Sequence, residues 1–148
     1  FICDKEKIKF TADGIRSILF ISQGDIRYAI NNLESTFNGY QEITEESVYK
    51  ICDQPQPILI TSIINSCLLG NLDSAIIQIN ELKERGYCNN DIILTFINVL
   101  KEMNISENIK IKYIRIASET YINVNDGVST LLQLYSCLAK MCEIALSD

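Results

Sequence analysis

The chain has 148 residues, 47% of them hydrophobic and 22% charged, with a net charge of −6 and no histidine. That length and balance suit a folded chain holding one ordinary core or two small helical units, and no uninterrupted apolar run is long enough for a membrane helix. The acidity argues against direct binding of nucleic acid, which needs clustered Lys and Arg, whereas the 13 basic residues are scattered and the densest run (Lys5, Lys7, Lys9) alternates with Asp4 and Glu6.

Phe1 already stands in patterned sequence, with no initiator Met or basic leader before it. The chain is therefore expected to be a piece of something longer, and residues 1–7 read as the tail of an earlier helix. Thr11 is placed to cap a helix running to about Gln23, with Ile15, Leu19 and Ser22 on one face. Gly24 breaks the run and Asp25 opens a second helix, whose Ile26, Ala29, Ile30, Leu33 and Phe37 follow helical spacing up to Gly39. Thr44, with Glu45 and Glu46 behind it, starts a short third helix carrying Val48 and Ile51.

Both prolines fall at Pro55 and Pro57, and nothing else punctuates the chain so strongly. The expected division is a first module over residues 1–52 and a second over 53–148. The second reads as helix after helix. Ile58 to Leu69 ends at Gly70; Asn71 to Arg85 stops at Gly86, with Leu72, Ala75, Ile76, Ile79 and Leu82 as its stripe. Asn90 or Asp91 caps a third helix with Ile93, Phe96, Ile97 and Leu100 inward. A fourth runs from about Ser106 to Ile122. A fifth starts after Asp126, with Val128, Leu131, Leu132, Tyr135, Leu138, Ala139 and Cys142 on its apolar face. Residues 109–113 alternate with period two, a strand signal, but Ile109, Tyr113, Ile116 and Thr120 also form a helical stripe. Flanking helices and short connections favour helix, and the fold class expected is all-α.

Six cysteines stand at 3, 52, 67, 88, 137 and 142, without a C-x-x-C pair and with no histidine to complete a zinc site. They read as buried or half-buried reduced thiols of an intracellular protein. The missing histidine also removes Cys–His and Ser–His–Asp catalysis, so neither a catalytic residue nor a metal ligand is expected.

Gly24-Asp25-Ile26-Arg27 is the one local group chosen for more than packing. Asp25 suits the positive end of a helix dipole, whereas Arg27 in the first turn is a cation where cations are disfavoured. A guanidinium at a helix N-terminus is a good partner for a phosphate; an Arg paired with Asp25, or simply solvated, is the plainer alternative.

The run Gln23-Gly24-Asp25-Ile26-Arg27-Tyr28-Ala29-Ile30-Asn31-Asn32-Leu33 is similar to the sensor-2 helix of clamp-loader subunits of the AAA+ class. Cys3-Asp4-Lys5-Glu6-Lys7-Ile8 with Thr11-Ala12-Asp13-Gly14 resembles the opening of that family's lid. Cys52-Asp53-Gln54-Pro55-Gln56-Pro57 resembles its lid-to-collar junction. Gly86-Tyr87 with Asn90-Asp91-Ile92, and Asp126-Gly127-Val128 before Leu131-Leu132-Gln133-Leu134, resemble its collar. The resemblance spans essentially the whole chain and is to the small subunits of replication factor C.

This resemblance implies an N-terminally truncated helical AAA+ lid over 1–52, followed by a five-helix collar over 53–148 that assembles with the other replication factor C subunits into a pentamer. It implies that Arg27, presented by Gly24 and Asp25, senses the γ-phosphate of ATP bound elsewhere in the same subunit. The sliding clamp and primed DNA would be met only through the full complex, in the nucleus and with no membrane involved. The phosphate loop G-x-x-x-x-G-K-[S/T] and the acidic Mg²⁺-binding strand are not in this sequence. The fragment is therefore expected to be no enzyme and to hold no cofactor, with ATP and Mg²⁺ belonging to a full-length subunit of a DNA-dependent ATPase. Two alternatives stay open: the same region of another AAA+ protein, and a non-ATPase helical scaffold of the repeat type. Exposed apolar positions, with Ile58, Ile60, Leu68 and the Tyr121–Val124 stretch as candidates, would make the isolated chain prone to self-association.

Overall fold

A computed structural model describes residues 1–147. It divides the chain into two compact units, Phe1–Gln54 and the part from Pro55 onward. The first unit runs α1 (Ile2–Lys5), β1 (Lys9–Phe10), α2 (Ala12–Ser22), α3 (Ile26–Tyr40), β2 (Glu42–Ile43) and α4 (Glu45–Cys52). Its helices begin where short polar side chains can cap them. Thr11 accepts from the Gly14 N–H, and Thr44 and Ser47 form a reciprocal capping box at α4. α2, α3 and α4 pack on one another around Cys3, Ile18, Ile21, Leu33, Ile43, Val48 and Tyr49.

Two features differ from the sequence reading. β1 and β2 form a two-residue parallel pair, Lys9 opposite Glu42 and Phe10 opposite Ile43. The Thr11 N–H continues it by donating to the Ile43 carbonyl at 2.9 Å. The inward stripe on α2 is also only partly the expected one: Ser22 is buried and Ile15 packs against the core, but Leu19 does not. Ile18 and Ile21 are buried whereas Leu19 is 62% exposed, and on α3 Ile26 is 74% exposed while Leu33 is buried. A helix with apolar residues on more than one side can satisfy its core with either stripe; Ile18 and Ile21 are the ones that join the core shared with α3 and α4.

The second unit is α5 (Pro57–Leu68), α6 (Leu72–Glu84), α7 (Asn89–Glu102), α8 (Glu107–Asn125) and α9 (Leu131–Ser147). Pro57 sits at the first position of α5, where its missing N–H costs nothing. α5 packs on α6, α7 and α9, and α8 packs on α7 and α9, so the last helix closes against the first. Ile60, Ile63, Ile64, Ile79, Ile92, Leu100, Tyr113 and Met141 are essentially inaccessible to water.

Residues 109–113 are helical. Tyr113 is buried and Ile111 exposed, so the alternation reflects a partly apolar outer face rather than a strand. α7 is capped by Cys88 rather than Asn90 or Asp91, its sulfur accepting from the Asp91 N–H at 3.4 Å. α9 starts at Leu131, leaving Val128 outside the helix and Leu132 exposed. Of the candidate exposed positions, Ile58 and Ile122 are exposed and Leu68 and Tyr121 half-buried, but Ile60 and Val124 are buried. The whole architecture is all-α apart from the short β pair.

Candidate functional site

The turn between α2 and α3 is built from three backbone choices in succession. Gln23 ends α2 in the left-handed region at φ 47°. Gly24 follows at φ +90°, a conformation that only glycine adopts without strain. Asp25 then returns to extended backbone, and its N–H donates to the Ser22 carbonyl at 2.8 Å. Its Oδ1 accepts from the N–H groups of Arg27 and Tyr28, at 2.9 and 3.1 Å. The carboxylate is thus engaged by the first turn of α3, which is what the free donors of a helix start require.

Arg27 stands in the first turn of that helix, as its second residue, and is exposed. Its guanidinium makes no ion pair or side-chain hydrogen bond with another described residue, so the alternative of an Arg paired with Asp25 is set aside. The structure therefore holds Gly24, Asp25 and Arg27 together in one turn, each in a different part: Gly24 supplies the backbone, Asp25 the cap, and Arg27 a free planar cation at the positive end of a helix dipole. Such an arrangement can bind an oxyanion by a bidentate fork.

The surface near this turn is apolar to a degree that periodicity did not reveal. Leu19, Ile26, Tyr28 and Ile30 are all exposed. No local signal separates a helix face that meets its own core from one that meets something else, because the spacing is the same. In the second unit Ile58, Leu69, Ile77, Ile111 and Leu132 are likewise exposed, along separate helices. Among the described residues no helix is long and apolar enough to cross a membrane, and no group of three or more Cys, Asp or Glu side chains is arranged to hold a metal ion.

Comparison with known proteins bears on both units. The Replication factor C C-terminal domain family model matches residues 55–140, more than half of the chain. Replication factor C subunit 2 of Arabidopsis thaliana is 34% identical over 92% of the chain and 41% of its own length. Replication factor C subunit 4 of Oryza sativa subsp. japonica is 34% identical over 91% of the chain and 40% of its own. Subunit 4 of Saccharomyces cerevisiae is 36% identical over 92% of the chain and 42% of its own. The chain thus spans about two fifths of the length of these relatives, and the similarity includes the first unit as well as the second. Five helices in the matched stretch, in a chain similar to these subunits over nine tenths of its residues, leave one conclusion: the chain belongs to the replication factor C family, with that family's C-terminal domain in its second unit.

Proposed function

We propose that the chain is the lid-and-collar portion of a clamp-loader subunit, in which the second unit joins the other replication factor C subunits and Arg27 of the first reports the state of a bound nucleotide. The observation that carries the sensing role is the unpaired guanidinium of Arg27 at the start of α3, beside an Asp25 carboxylate already engaged by the backbone. The exposed Leu19, Ile26 and Ile30 around it supply the apolar surface that a covering ATPase domain would bury.

These residues fit one part of a nucleotide, a terminal phosphate oxygen held by the Arg27 fork. The nucleotide and its Mg²⁺ would supply phosphoryl-transfer chemistry from a part of the subunit outside this chain. Arg27 would hold a charge in place there and register its loss. The exposed apolar residues of α5, α6, α8 and α9 support assembly through the second unit. Clamp and primed DNA are reached through the assembled loader, whose compartment is the nucleus.

The test is a loader reconstituted from the full-length subunit and its partners. Arg27→Ala is expected to lower clamp- and DNA-stimulated ATP turnover about tenfold or more, with the complex still eluting as an intact assembly. Unchanged turnover would remove the sensing role. If residues 55–148, co-expressed with the partner subunits, fail to co-purify with them, the assembly role falls instead.

A further inference from the structure

Cys67 lies on the inner face of α5 and is inaccessible to water, and Cys142 lies on the inner face of α9 with 4% of its surface accessible. α5 and α9 pack directly on each other, and the Cys142 sulfur lies close enough to Cys67 to push its pKa up. A separate contact fixes the same register. Gly70, just past the end of α5, lies against Leu146 so closely that a Cβ on it would stand 2.8 Å from Leu146 Cδ2. Residues 67 and 70 therefore meet 142 and 146 in order, which makes the two elements run side by side in the same direction.

Cys137, the third buried thiol nearby, is differently engaged. It precedes Cys142 by five residues, roughly 140° around the helix, and Thr120 of α8 lies beside it. Cys142 is thus the thiol that faces Cys67.

We propose that Cys67 and Cys142 form a redox-closable dithiol, taking a peroxide as oxidant and locking the first helix of the second unit to the last. One thiol, deprotonated, attacks a peroxide oxygen. The O–O bond breaks, water leaves, and a sulfenic acid remains. The second sulfur then attacks the sulfenic sulfur, its S–O bond breaks, a second water leaves, and the S–S bond forms. Two thiols and one hydrogen peroxide give one disulfide and two waters, with two electrons passing to the peroxide. Burial pushes the Cys67 thiol well above its ordinary range, and the Cys142 and Cys137 sulfurs beside it push the same way. In the closed fold Cys67 is held protonated and unreactive. Reaction waits on the last turns of α9 lifting away, so closure records that opening and then prevents it.

The experiment uses the full chain carrying Cys88→Ser, which removes the exposed thiol and leaves a serine at the α7 cap. The folded protein is treated with hydrogen peroxide, remaining thiols are alkylated, and the peptides are mapped. The expected product is a peptide linking Cys67 to Cys142, with the thermal midpoint raised by about 5 °C or more and restored by dithiothreitol. The rise is expected to vanish in Cys142→Ala. Recovery of both cysteines in alkylated form, or a dominant link from Cys67 to Cys137, overturns the proposal. So does a Cys67–Cys142 link without a rise in midpoint. Because the peptide map is made on a chain with both cysteines intact, the outcome does not depend on Cys142→Ala folding.

Discussion

The Tyr113 hydroxyl, on α8, donates to the backbone carbonyl of Met141, on α9, at 2.8 Å and entirely inside the core. The ring is inaccessible to water, so the hydroxyl has no solvent to turn to. Tyr113→Phe keeps the ring and removes this bond. The expected loss is about 1 kcal/mol, rising toward ~2 if the carbonyl is left without a second donor. Urea unfolding of the two proteins checks it; equal midpoints would mean that the bond adds nothing.

Gly14 is tied to the far end of its unit. A Cβ there would stand 2.8 Å from the Ile43 carbonyl carbon and 3.0 Å from Thr44 Cα, both main-chain atoms that cannot swing aside. Gly14→Ala is expected to cost about 2–4 kcal/mol, since α2 must move off β2. Gly86→Ala is the comparison. Space around Gly86 is open and only its φ of +95° resists a side chain, so its cost is expected near 1–2 kcal/mol. Thermal midpoints of both variants decide whether close approach or backbone conformation matters more.

The site turn separates stability from function in adjacent residues. Asp25→Ala removes the acceptor for two N–H groups and is expected to cost the first unit about 1 kcal/mol. Arg27→Ala, which loses no partner among the described residues, is expected to change stability by less than about 0.5 kcal/mol. Amide exchange followed on α2 and α3 reads both. A destabilising Arg27→Ala would mean that the guanidinium has a structural task.

Alkaline pH is expected to weaken the second unit. Burial holds the Cys67 and Cys137 thiols protonated when folded, with Cys137 pushed up to about 11 from an ordinary 9.0. Below about pH 9 folded and unfolded chains carry the same thiol protons, so these groups add no slope. Above it the unfolded chain gives up protons that the folded chain keeps. Stability then falls by about 1.4 kcal/mol per pH unit for each thiol, until the pH passes the folded value. Urea midpoints between pH 8 and 10.5, compared with Cys67→Ala, should show a shallower decline in the variant.

Local chemistry made much of this structure legible in advance. Thr11 and Thr44 each accept a hydrogen bond from the helix they precede, because a cap depends on residues only two or three positions away. The Gly24-Asp25-Ile26-Arg27 turn was readable for the same reason. What stayed hidden depended on distance along the chain. β1 and β2 are two residues each, too short to show a period, and exist because Thr11 and Ile43 meet across 32 positions. The preference for Ile18 over Leu19 as a core residue was set by packing against α3 and α4 together, and the meeting of Cys67 with Cys142 by the order in which five helices stack. Asn90 was a plausible cap by type, but Cys88 took the position through its sulfur.

The packing of α9 on α5 also sets a timetable for synthesis. Ile60, Ile63, Ile64 and Cys67 of α5 emerge from the ribosome early, yet part of the cover of α5 arrives only with α9, whose Leu138, Met141 and Cys142 are buried. Until α9 is free of the exit tunnel, this bundle has a missing wall. A nascent chain paused there would present isoleucine-rich surface to holdase chaperones or to its neighbours on a polysome. Folding of this unit is thus a late, concerted event, unlike that of a solenoid, which can consolidate turn by turn as it is made.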